Sequence, residues 1–393
     1  MRPLEGLLVA DFSRVLAGPL ATMTLADLGA TVIKVERPGT GDDTRTWGPP
    51  FTERSTAYFE SANRGKASLT LDIADPGDRA LAQELARRAD VFVENFKPGS
   101  LARYGLDHET VAATNPRIVY CSISGFGSGP GANLPGYDFL VQAVGGLMSI
   151  TGEADGEPLK SGVALVDVLT GKDAVIGIQA ALAARSRTGR GQRIEVSLLT
   201  SLLAAMVNQT ANASLGLVPR RMGNQHPSIA PYETLRCADG LIAVACGNDG
   251  QFRRFAAVIG DCALADDERF ANNPARVTNR AALVDTLELA LAGNPVQHWI
   301  DVLTAAGVPA GAVGTVNDGI ALAERLGLKP LSQTGPGYLP QVRHPVTYSH
   351  DSPDIEAPIP LPPPILGSHT TAVRDWLAGP PDAHPPILKE NQT

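Results

Sequence analysis

One carboxylate stands apart in the sequence because it interrupts an apolar run. Asp167 follows Val-Ala-Leu-Val at 163–166 and precedes Val-Leu at 168–169. Two interpretations are open from the spacing alone. An aspartate near the start of a helix often caps its N-terminus, whereas a carboxylate partly removed from water can attack a carbonyl carbon as a nucleophile. The local pattern favours the cap, and the nucleophile needs support from elsewhere in the chain.

Basic and amide side chains follow two predicted strands at the point where each strand ends. Arg37 comes directly after Lys-Val-Glu at 34–36, and Asn-Phe-Lys-Pro-Gly occupies 95–99, with Arg103 shortly afterwards. Guanidinium groups bind phosphates, an aromatic ring can cover a base, and glycine turns present backbone amides. Each residue alone could be an ordinary surface residue. Together they indicate a site for an anionic, adenine-bearing ligand.

Three common enzyme motifs are absent. The first predicted turn reads Ser-Arg-Val-Leu-Ala-Gly-Pro at 13–19, without the G-x-G-x-x-G of dinucleotide-binding proteins, and no G-x-x-x-x-G-K-[ST] loop occurs. The segment 121–125, Cys-Ser-Ile-Ser-Gly, lacks the first glycine of G-x-S-x-G. None of the seven histidines has an obvious triad context. A dinucleotide-dependent dehydrogenase, a P-loop enzyme and an α/β-hydrolase are therefore disfavoured.

The elements that must position these residues alternate between strands and helices. The predicted strands are 7–12, 31–35, 68–71, 91–94, 118–122 and 193–196, and the predicted helices are 19–28, 76–89, 167–184 and 198–214. This alternation is typical of an α/β fold with a mostly parallel sheet and helices on both faces. Ligands bind such sheets at the carboxyl ends of the strands.

The character of the sequence changes near residue 220. A hairpin is predicted over 232–246, followed by helices at 250–259, 280–292 and 296–306. We therefore predict a large α/β domain over 1–224, a smaller α+β domain over 225–325, a return to the large domain over 326–378 and a disordered tail over 379–393.

Composition narrows the possible partners. The chain has 393 residues, a net charge of −8 and a pI near 5.4, so no basic face for nucleic acid or anionic lipid is expected. Its four cysteines lack metal-ligand spacing. Neither a signal peptide nor an apolar run of about 20 residues, the length that spans a bilayer, is apparent. We predict a cytoplasmic protein without a metal, a nucleic-acid partner or a membrane partner.

Longer motifs run along nearly the whole chain. They are D-F-S-R-V-L-A-G-P at 11–19, L-A-D-L-G-A-T-V-I-K-V-E-R-P-G at 25–39, N-R-G-K-A-S-L-T-L-D at 63–72, E-N-F-K-P-G at 94–99, G-Y-D at 136–138, T-G-R-G-Q at 188–192, R-R-M-G-N-Q-H-P at 220–227, G-V-P-A-G at 307–311 and L-G-S-H-T at 366–370. In this order they resemble the class III CoA-transferases of the CaiB–BaiF type, which include formyl-CoA transferase. The resemblance implies a Rossmann-like large domain and a homodimer whose two subunits interlock like links of a chain.

The resemblance also implies roles for eleven residues. Asp167 falls on the family's catalytic aspartate. The positions that bind coenzyme A correspond here to Leu16, Ala17, Arg37, Leu71, Asp72, Asn95, Phe96, Lys97, Arg103 and Tyr137. In the implied reaction, CoA passes from an acyl-CoA to a free carboxylic acid through an aspartyl mixed anhydride and an aspartyl-CoA thioester. CoA is then a substrate and not a permanently bound cofactor, and no metal is needed.

Departures from the family pattern narrow the chemistry. Formyl- and oxalate-type members carry Gln where Leu16 stands and a glycine run in the smaller domain, whereas this chain has Gly-Asn-Asp-Gly at 247–250. We therefore predict against oxalate chemistry. The segment 321–334 also differs from the family, and the sequence offers no explanation for it.

Two other functions compete with CoA transfer. The α-methylacyl-CoA racemases of the same fold take a catalytic histidine from a G-H-D motif, where this chain has Tyr137. A tyrosine phenol, with an ordinary pKa near 10, is a poor base at neutral pH. A non-catalytic CoA-binding protein would be expected to lack Asp167. The sequence therefore favours a transferase over both.

Overall fold

The computed structural model describes residues 2–348, 361–381 and 383–386. The chain forms two compact units. The larger comprises the chain up to Leu147, Ser161–Leu215 and the chain from Lys329 on, and the smaller comprises Met148–Lys160 and Gly216–Leu328. The predicted division at 224 and 325 remains a prediction. Of the tail predicted over 379–393, residues 382 and 387–393 lie outside the described residues.

Six parallel strands form the centre of the larger unit. They are β1 (Leu8–Asp11), β2 (Thr31–Glu36), β3 (Lys66–Thr70), β4 (Val91–Glu94), β5 (Val119–Ser124) and β6 (Arg193–Ser197). Their order across the sheet is β3-β2-β1-β4-β5-β6, and every neighbouring pair is parallel. This is the strand order of the Rossmann fold. From β1 the chain adds strands first on one side and then, starting with β4, on the other, so the topological switch point lies between β1 and β4. The predicted α/β fold class is confirmed.

Helices cover both faces of this sheet. They are α1 (Ala17–Asp27), α2 (Ala57–Glu60), α3 (Pro76–Arg88), α4 (His108–Thr114), α5 (Asp138–Val144), α6 (Leu165–Thr188), α7 (Leu198–Ala205) and α8 (Val207–Ser214). Successive strand residues face opposite cores, as pleating requires. Val9 packs into the core beneath α1 and α6, and Ala10 packs into the core beneath α3.

The predicted single helix over 198–214 is wrong, because it breaks at Met206 into α7 and α8. Val207 adopts a positive φ of 34°, which a β-branched residue rarely does. No glycine or proline marks this position in the sequence, so local signals for a break are missing.

The smaller unit is a three-stranded antiparallel sheet with helices. Its elements are β7 (Tyr232–Arg236), β8 (Leu241–Ala245), α9 (Asp249–Val258), α10 (Asn273–Thr278), α11 (Arg280–Leu291), α12 (Val296–Ala305), β9 (Ala310–Ala312) and α13 (Val316–Arg325). The strand order is β7-β8-β9, with its own core that includes Phe252, Phe255 and Leu287. The predicted α+β character of this part is confirmed. Of the segment 321–334, this unit contains the end of α13 and the residues up to Leu328.

The chain then returns to the larger unit. It forms β10 (Leu331–Ser332), β11 (Gln341–Val342) and α14 (Thr370–Ala378). Val373 and Trp376 of α14 complete the core beneath α3, on the side of the sheet opposite α6. The last helix thus packs beside the end of β3, on the face of the sheet opposite the helix that carries Asp167.

Candidate active site

Asp167 lies in the first turn of α6 and does not cap it. The N-cap is Ala164, whose side chain accepts no hydrogen bond, so Asp167 is the third helical residue. The interpretation of Asp167 as a local helix cap is therefore wrong. The helix begins two residues earlier than its predicted start at 167 and ends at Thr188, where Gly189 adopts a left-handed φ of 71°.

The carboxylate that caps α6 comes from α5. Asp138 Oδ1 accepts hydrogen bonds from the backbone N–H groups of Val166 at 2.7 Å and of Asp167 at 3.1 Å. Its other oxygen accepts from Gln142 Nε2 at 2.6 Å. These bonds satisfy amides that have no partner inside the helix, and they hold Asp138 beside Asp167.

This environment changes the acidity of Asp167. Burial, followed by the nearby charge of Asp138, raises the pKa of the Asp167 carboxyl from 3.8 to about 7. A carboxylate with so high a pKa is poorly solvated and more basic than one in water, and both properties increase its reactivity towards a carbonyl carbon. The group can still ionise at neutral pH.

A glycine on α6 brings the start of α1 close to Asp167. Gly171 lies one turn after Asp167, and a Cβ atom at this position would stand only 2.7 Å from the carbonyl oxygen of Ala17. Any larger residue would push the two helices apart. The close approach places Leu16 and Ala17 against the helix that carries the carboxylate.

The loop before α1 is held by side chains from two neighbouring segments. Asn95 Oδ1 accepts from Arg14 N at 2.8 Å, and Asn95 Nδ2 donates to Arg14 O at 2.7 Å. Lys34 Nζ donates to Ser13 O at 2.9 Å. Val15 has a φ of 70°, a conformation that costs a β-branched residue free energy and persists only where the surroundings enforce it.

A buried ion pair helps to hold Val15 in this conformation. Lys34 and Asp42 are fully buried, and their charged atoms are 2.9 Å apart. Burial alone would lower the pKa of Lys34, but Asp42 and other nearby carboxylates raise it, so the lysine stays charged. Both oxygens of Asp42 lie 3.3 Å from the Val15 N–H, which donates to them. Through Ser13 and Val15, the pair therefore holds the loop before α1 in place.

Two glycines close the loop over 125–136. A Cβ atom on Gly125 would lie 2.4 Å from Gly136 Cα, and one on Gly136 would lie 2.6 Å from Gly125 Cα. Their backbones touch, and only glycine permits this contact. The crossing places Tyr137 and Asp138 next to the carboxyl end of β5.

A cavity of about 380 Å³ lies at the carboxyl ends of the strands. Seven of the eleven predicted site residues line it, namely Leu16, Ala17, Asn95, Phe96, Lys97, Tyr137 and Asp167. The cavity opens between the loops after β1 and β4, where the strand order reverses and α/β proteins bind ligands.

The other four predicted residues lie outside that cavity. Arg37 is more than half exposed and pairs with Asp43, which does line it. Leu71 is buried in the core, and Asp72 is exposed at the end of β3. Arg103 is exposed with its guanidinium over the Tyr104 ring. Their predicted role in binding CoA stays a prediction.

Sequence reasoning missed Arg14. This residue lines the cavity with Asp167, and its guanidinium lies 5.3 Å from the Phe96 ring centroid. One terminal nitrogen binds Asp43 at 3.2 Å. The Arg14 Nε atom is buried and has no hydrogen-bond partner among the residues that the structure describes. Its place inside the motif 11–19 was the available signal.

Together, the Rossmann strand order, the cavity at its switch point and a desolvated carboxylate facing that cavity define an α/β enzyme. The chain belongs to CoA-transferase family III, whose family model matches residues 4–370. The predicted family and enzyme class are confirmed.

Relatives of known name agree with this family. The chain is 45% identical to succinate–glutarate CoA-transferase of Agrobacterium fabrum, covering 94% of each chain. It is 43% identical to acetyl-CoA:oxalate CoA-transferase of Acetobacter aceti, covering 86% of this chain and 87% of the relative. The prediction against oxalate chemistry finds no support in that second relative.

A solved structure extends the agreement to three dimensions. The crystal structure of a CaiB/BaiF family protein from Brucella suis superposes with a TM-score of 0.83 at 46% identity, covering 96% of this chain and 99% of that chain. The fold is therefore shared over nearly the full length of both proteins.

The described residues contain neither a membrane-spanning helix nor a cluster of metal ligands. Within the described ranges, no helix is both long and apolar enough to cross a membrane. Among the residues placed by the structure, no three His, Cys, Asp or Glu side chains are grouped so as to hold a metal ion.

Proposed function

We propose that this enzyme moves CoA from the monothioester of one dicarboxylic acid to another dicarboxylic acid, with Asp167 as the nucleophile. One observation carries the proposal. The Asp167 carboxylate, with its pKa raised to about 7, lines the same cavity as Leu16, Asn95 and Phe96, which fall on CoA-binding positions of the family. The CoA-transferase class comes from the family, and the pair of dicarboxylic substrates comes from the name of the Agrobacterium relative; the name of the Acetobacter relative supports only a dicarboxylic acceptor.

The proposed reaction begins when an Asp167 oxygen attacks the carbonyl carbon of the donor thioester. The C–S bond breaks, CoA leaves as a thiolate, and Asp167 and the acyl group form a mixed anhydride. The thiolate then attacks the aspartyl carbonyl carbon, which releases the donor acid as a carboxylate and leaves an aspartyl-CoA thioester. Covalent catalysis of this kind replaces one difficult exchange with easier steps.

The second half of the reaction repeats these steps in reverse order. The acceptor carboxylate attacks the aspartyl-CoA carbonyl carbon, expels CoA thiolate and forms a second anhydride. The thiolate attacks the acceptor acyl carbon, which yields the new acyl-CoA and frees Asp167. No proton is gained or lost over the cycle, so the enzyme needs desolvation and positioning more than acid–base catalysis.

Arg14 supports a dicarboxylic substrate. A guanidinium binds a carboxylate well because it presents several N–H groups in one plane. Arg14 has a buried Nε without a partner among the described residues and lines the same cavity as Asp167. We propose that it binds the distal carboxylate of the acyl group while Asp167 attacks the thioester end.

The remaining predicted residues support a CoA site along the same edge of the sheet. Arg37 is exposed at the end of β2 and touches Asp43 at the rim of the cavity. Asp72 and Arg103 follow β3 and β4 and are also exposed. We propose that Arg37 and Arg103 hold the phosphate groups of CoA, that Asp72 contacts an uncharged part of the same molecule, and that the enzyme acts in the cytoplasm.

A homodimer is also part of the proposal. Several large apolar side chains of the larger unit are exposed, namely Leu134, Phe139, Val144, Ile176, Val207 and Leu215. Exposed apolar side chains in such number favour contact with another surface. We propose that a second copy of the chain covers them, in the interlocked arrangement that the family resemblance implies.

The substrate proposal is tested with matched donors. Succinyl-CoA and butyryl-CoA have acyl chains of equal length, but only succinyl-CoA carries a distal carboxylate. For Arg14→Ala we expect kcat/KM with succinyl-CoA to fall about tenfold to a hundredfold, because a hydrogen bond to a charged group contributes about 1.5–3 kcal/mol, while butyryl-CoA is little affected.

Other outcomes of this experiment are equally informative. An equal loss with both donors would assign Arg14 to CoA itself. Full transfer activity in Asp167→Asn would remove the nucleophile from the proposal. Racemisation of a 2-methylacyl-CoA without CoA transfer would favour the isomerase alternative.

A further inference from the structure

The nucleophile's helix takes its cap from another element. The N-cap residue Ala164 has no side chain able to accept a hydrogen bond, and the first residue of α5, Asp138, accepts from the amides of Val166 and Asp167 instead. An N-cap normally belongs to the helix that it caps. Here the position of Asp167 depends on a contact between residues 29 apart in the chain.

Gln142 fixes the capping carboxylate. This side chain is fully buried. Its Nε2 donates to Asp138 Oδ2 at 2.6 Å, and its Oε1 accepts from Ser161 N at 2.8 Å. Asp138 is therefore tied to its own helix on one side and to the first turn of α6 on the other, and Gln142 links both to the segment that leads into α6.

The capping carboxylate of Asp138 also affects the pKa of Asp167. The N-terminus of a helix carries a partial positive charge that favours a nearby carboxylate and lowers its pKa. Asp138 accepts the N–H of Asp167 itself and brings a full negative charge to the same place. Burial and this charge together raise the pKa of Asp167 to about 7. The lowering of the Asp167 pKa that the helix N-terminus would cause is therefore outweighed, and the carboxylate stays more basic than one in water.

Other titratable groups also face the nucleophile or share its cavity. Tyr58 of α2 lies within electrostatic range of both carboxylates, and burial, followed by Asp167 and Asp138, raises its pKa to about 12, so it stays neutral. The groups that share the cavity are Arg14, Asp43, Lys97 and Tyr137. Besides burial, the charge of Asp138 raises the pKa of Asp167.

We propose that Asp138, held by Gln142, is the positioning residue of the nucleophile: it caps α6 from outside and orients the Asp167 carboxylate towards the cavity. The inference rests on the proposed role of Asp167 and adds a residue to it. Asp138 does not line the cavity among the residues described, so it acts through Asp167 and not on the substrate.

The test compares Asp138→Asn and Asp138→Ala with wild type and with Asp375→Asn, which removes an exposed carboxylate from α14 on the other side of the sheet. Asp138→Asn keeps an oxygen for the two amides but loses the charge. Its new NH2 group would face the NH2 group of Gln142, and two donors cannot form a hydrogen bond. Some loss of kcat is therefore expected for this variant, and its kcat alone does not test the inference. The readout is the pH dependence of kcat/KM for CoA transfer from succinyl-CoA to glutarate, whose acid limb reports the free enzyme.

We expect the acid limb of wild type near pH 7, because transfer needs ionised Asp167. In Asp138→Asn its midpoint should fall by about one pH unit, since removing a neighbouring like charge favours ionisation. In Asp138→Ala, the limiting kcat above the acid limb should fall at least about tenfold, because a displacement of about 1 Å can cost a hundredfold, while CoA affinity in calorimetry stays at the wild-type value. Asp375→Asn should match wild type throughout.

Two results would overturn the inference. One is an unchanged midpoint in Asp138→Asn, which would make the residue merely structural. The other is wild-type kcat in Asp138→Ala, which would show that no cap is needed. Both are separable from failure of the proposed function, because that failure appears as transfer activity in Asp167→Asn.

Discussion

Asp167→Asn should make the protein more stable while it abolishes transfer. The pKa of Asp167 in the folded protein is about 7, against an ordinary value of 3.8. Between these values the folded state binds more protons than the unfolded state, so the stability of wild type falls as pH rises through this window. Asparagine has nearly the same shape and cannot ionise, so the variant avoids this loss.

The magnitude follows from the two pKa values. Each pKa unit corresponds to 1.36 kcal/mol, so their separation gives about 4 kcal/mol above pH 7 and about 3 kcal/mol at pH 6. Water at the mouth of the cavity and relaxation of the side chain reduce these upper values. We expect the free energy of unfolding of the variant to exceed that of wild type by about 2 kcal/mol at pH 8 and by about 1 kcal/mol at pH 6.

The assay is thermal unfolding of wild type, Asp167→Asn and Asp375→Asn at both pH values without substrate. Asp375 is exposed on α14, so its variant controls for the loss of one negative charge. An advantage of Asp167→Asn that is the same at both pH values, or a variant less stable than wild type, would refute the claim that Asp167 is a desolvated carboxylate.

Two further predictions concern ligand binding and assembly. Arg37→Ala should weaken CoA binding with little effect on folding, because the side chain is more than half exposed and pairs only with Asp43 among the described contacts; a wild-type CoA affinity in calorimetry would count against the site. The protein should remain a dimer at nanomolar concentration in mass photometry, because interlocked chains cannot separate without unfolding, and a monomer peak there would contradict the interlocked arrangement.

Local signals were enough to locate the central sheet. The strand at 91–94 is a short apolar run between polar boundaries. The helix that precedes it in the chain, α3, begins as expected with Asp75 as its cap and Pro76 as its first residue. In α3 the cap and the helix lie within a few residues of each other, so the sequence alone contains the whole interaction.

The site depended on contacts that the sequence does not display locally. The cap of α6 is Asp138, which accepts a hydrogen bond from the Val166 amide 28 residues later in the chain. The local sequence pattern does not show this contact and favours Asp167 as the cap. The importance of Arg14 likewise arises from its tertiary neighbours Asp43, Asn95 and Phe96. The motif resemblance located the nucleophile, but only the folded chain shows what surrounds it.

The most direct test of the account is to trap the acylated nucleophile. Wild-type enzyme incubated with succinyl-CoA and then with hydroxylamine should carry a hydroxamate on Asp167, because anhydrides and thioesters react with hydroxylamine whereas free carboxylates do not. Peptide mass spectrometry should find the adduct on the peptide that contains Asp167, and it should be absent without acyl-CoA and in Asp167→Asn. An adduct on another residue, or its persistence in Asp167→Asn, would contradict Asp167 as the residue that carries the acyl group and CoA.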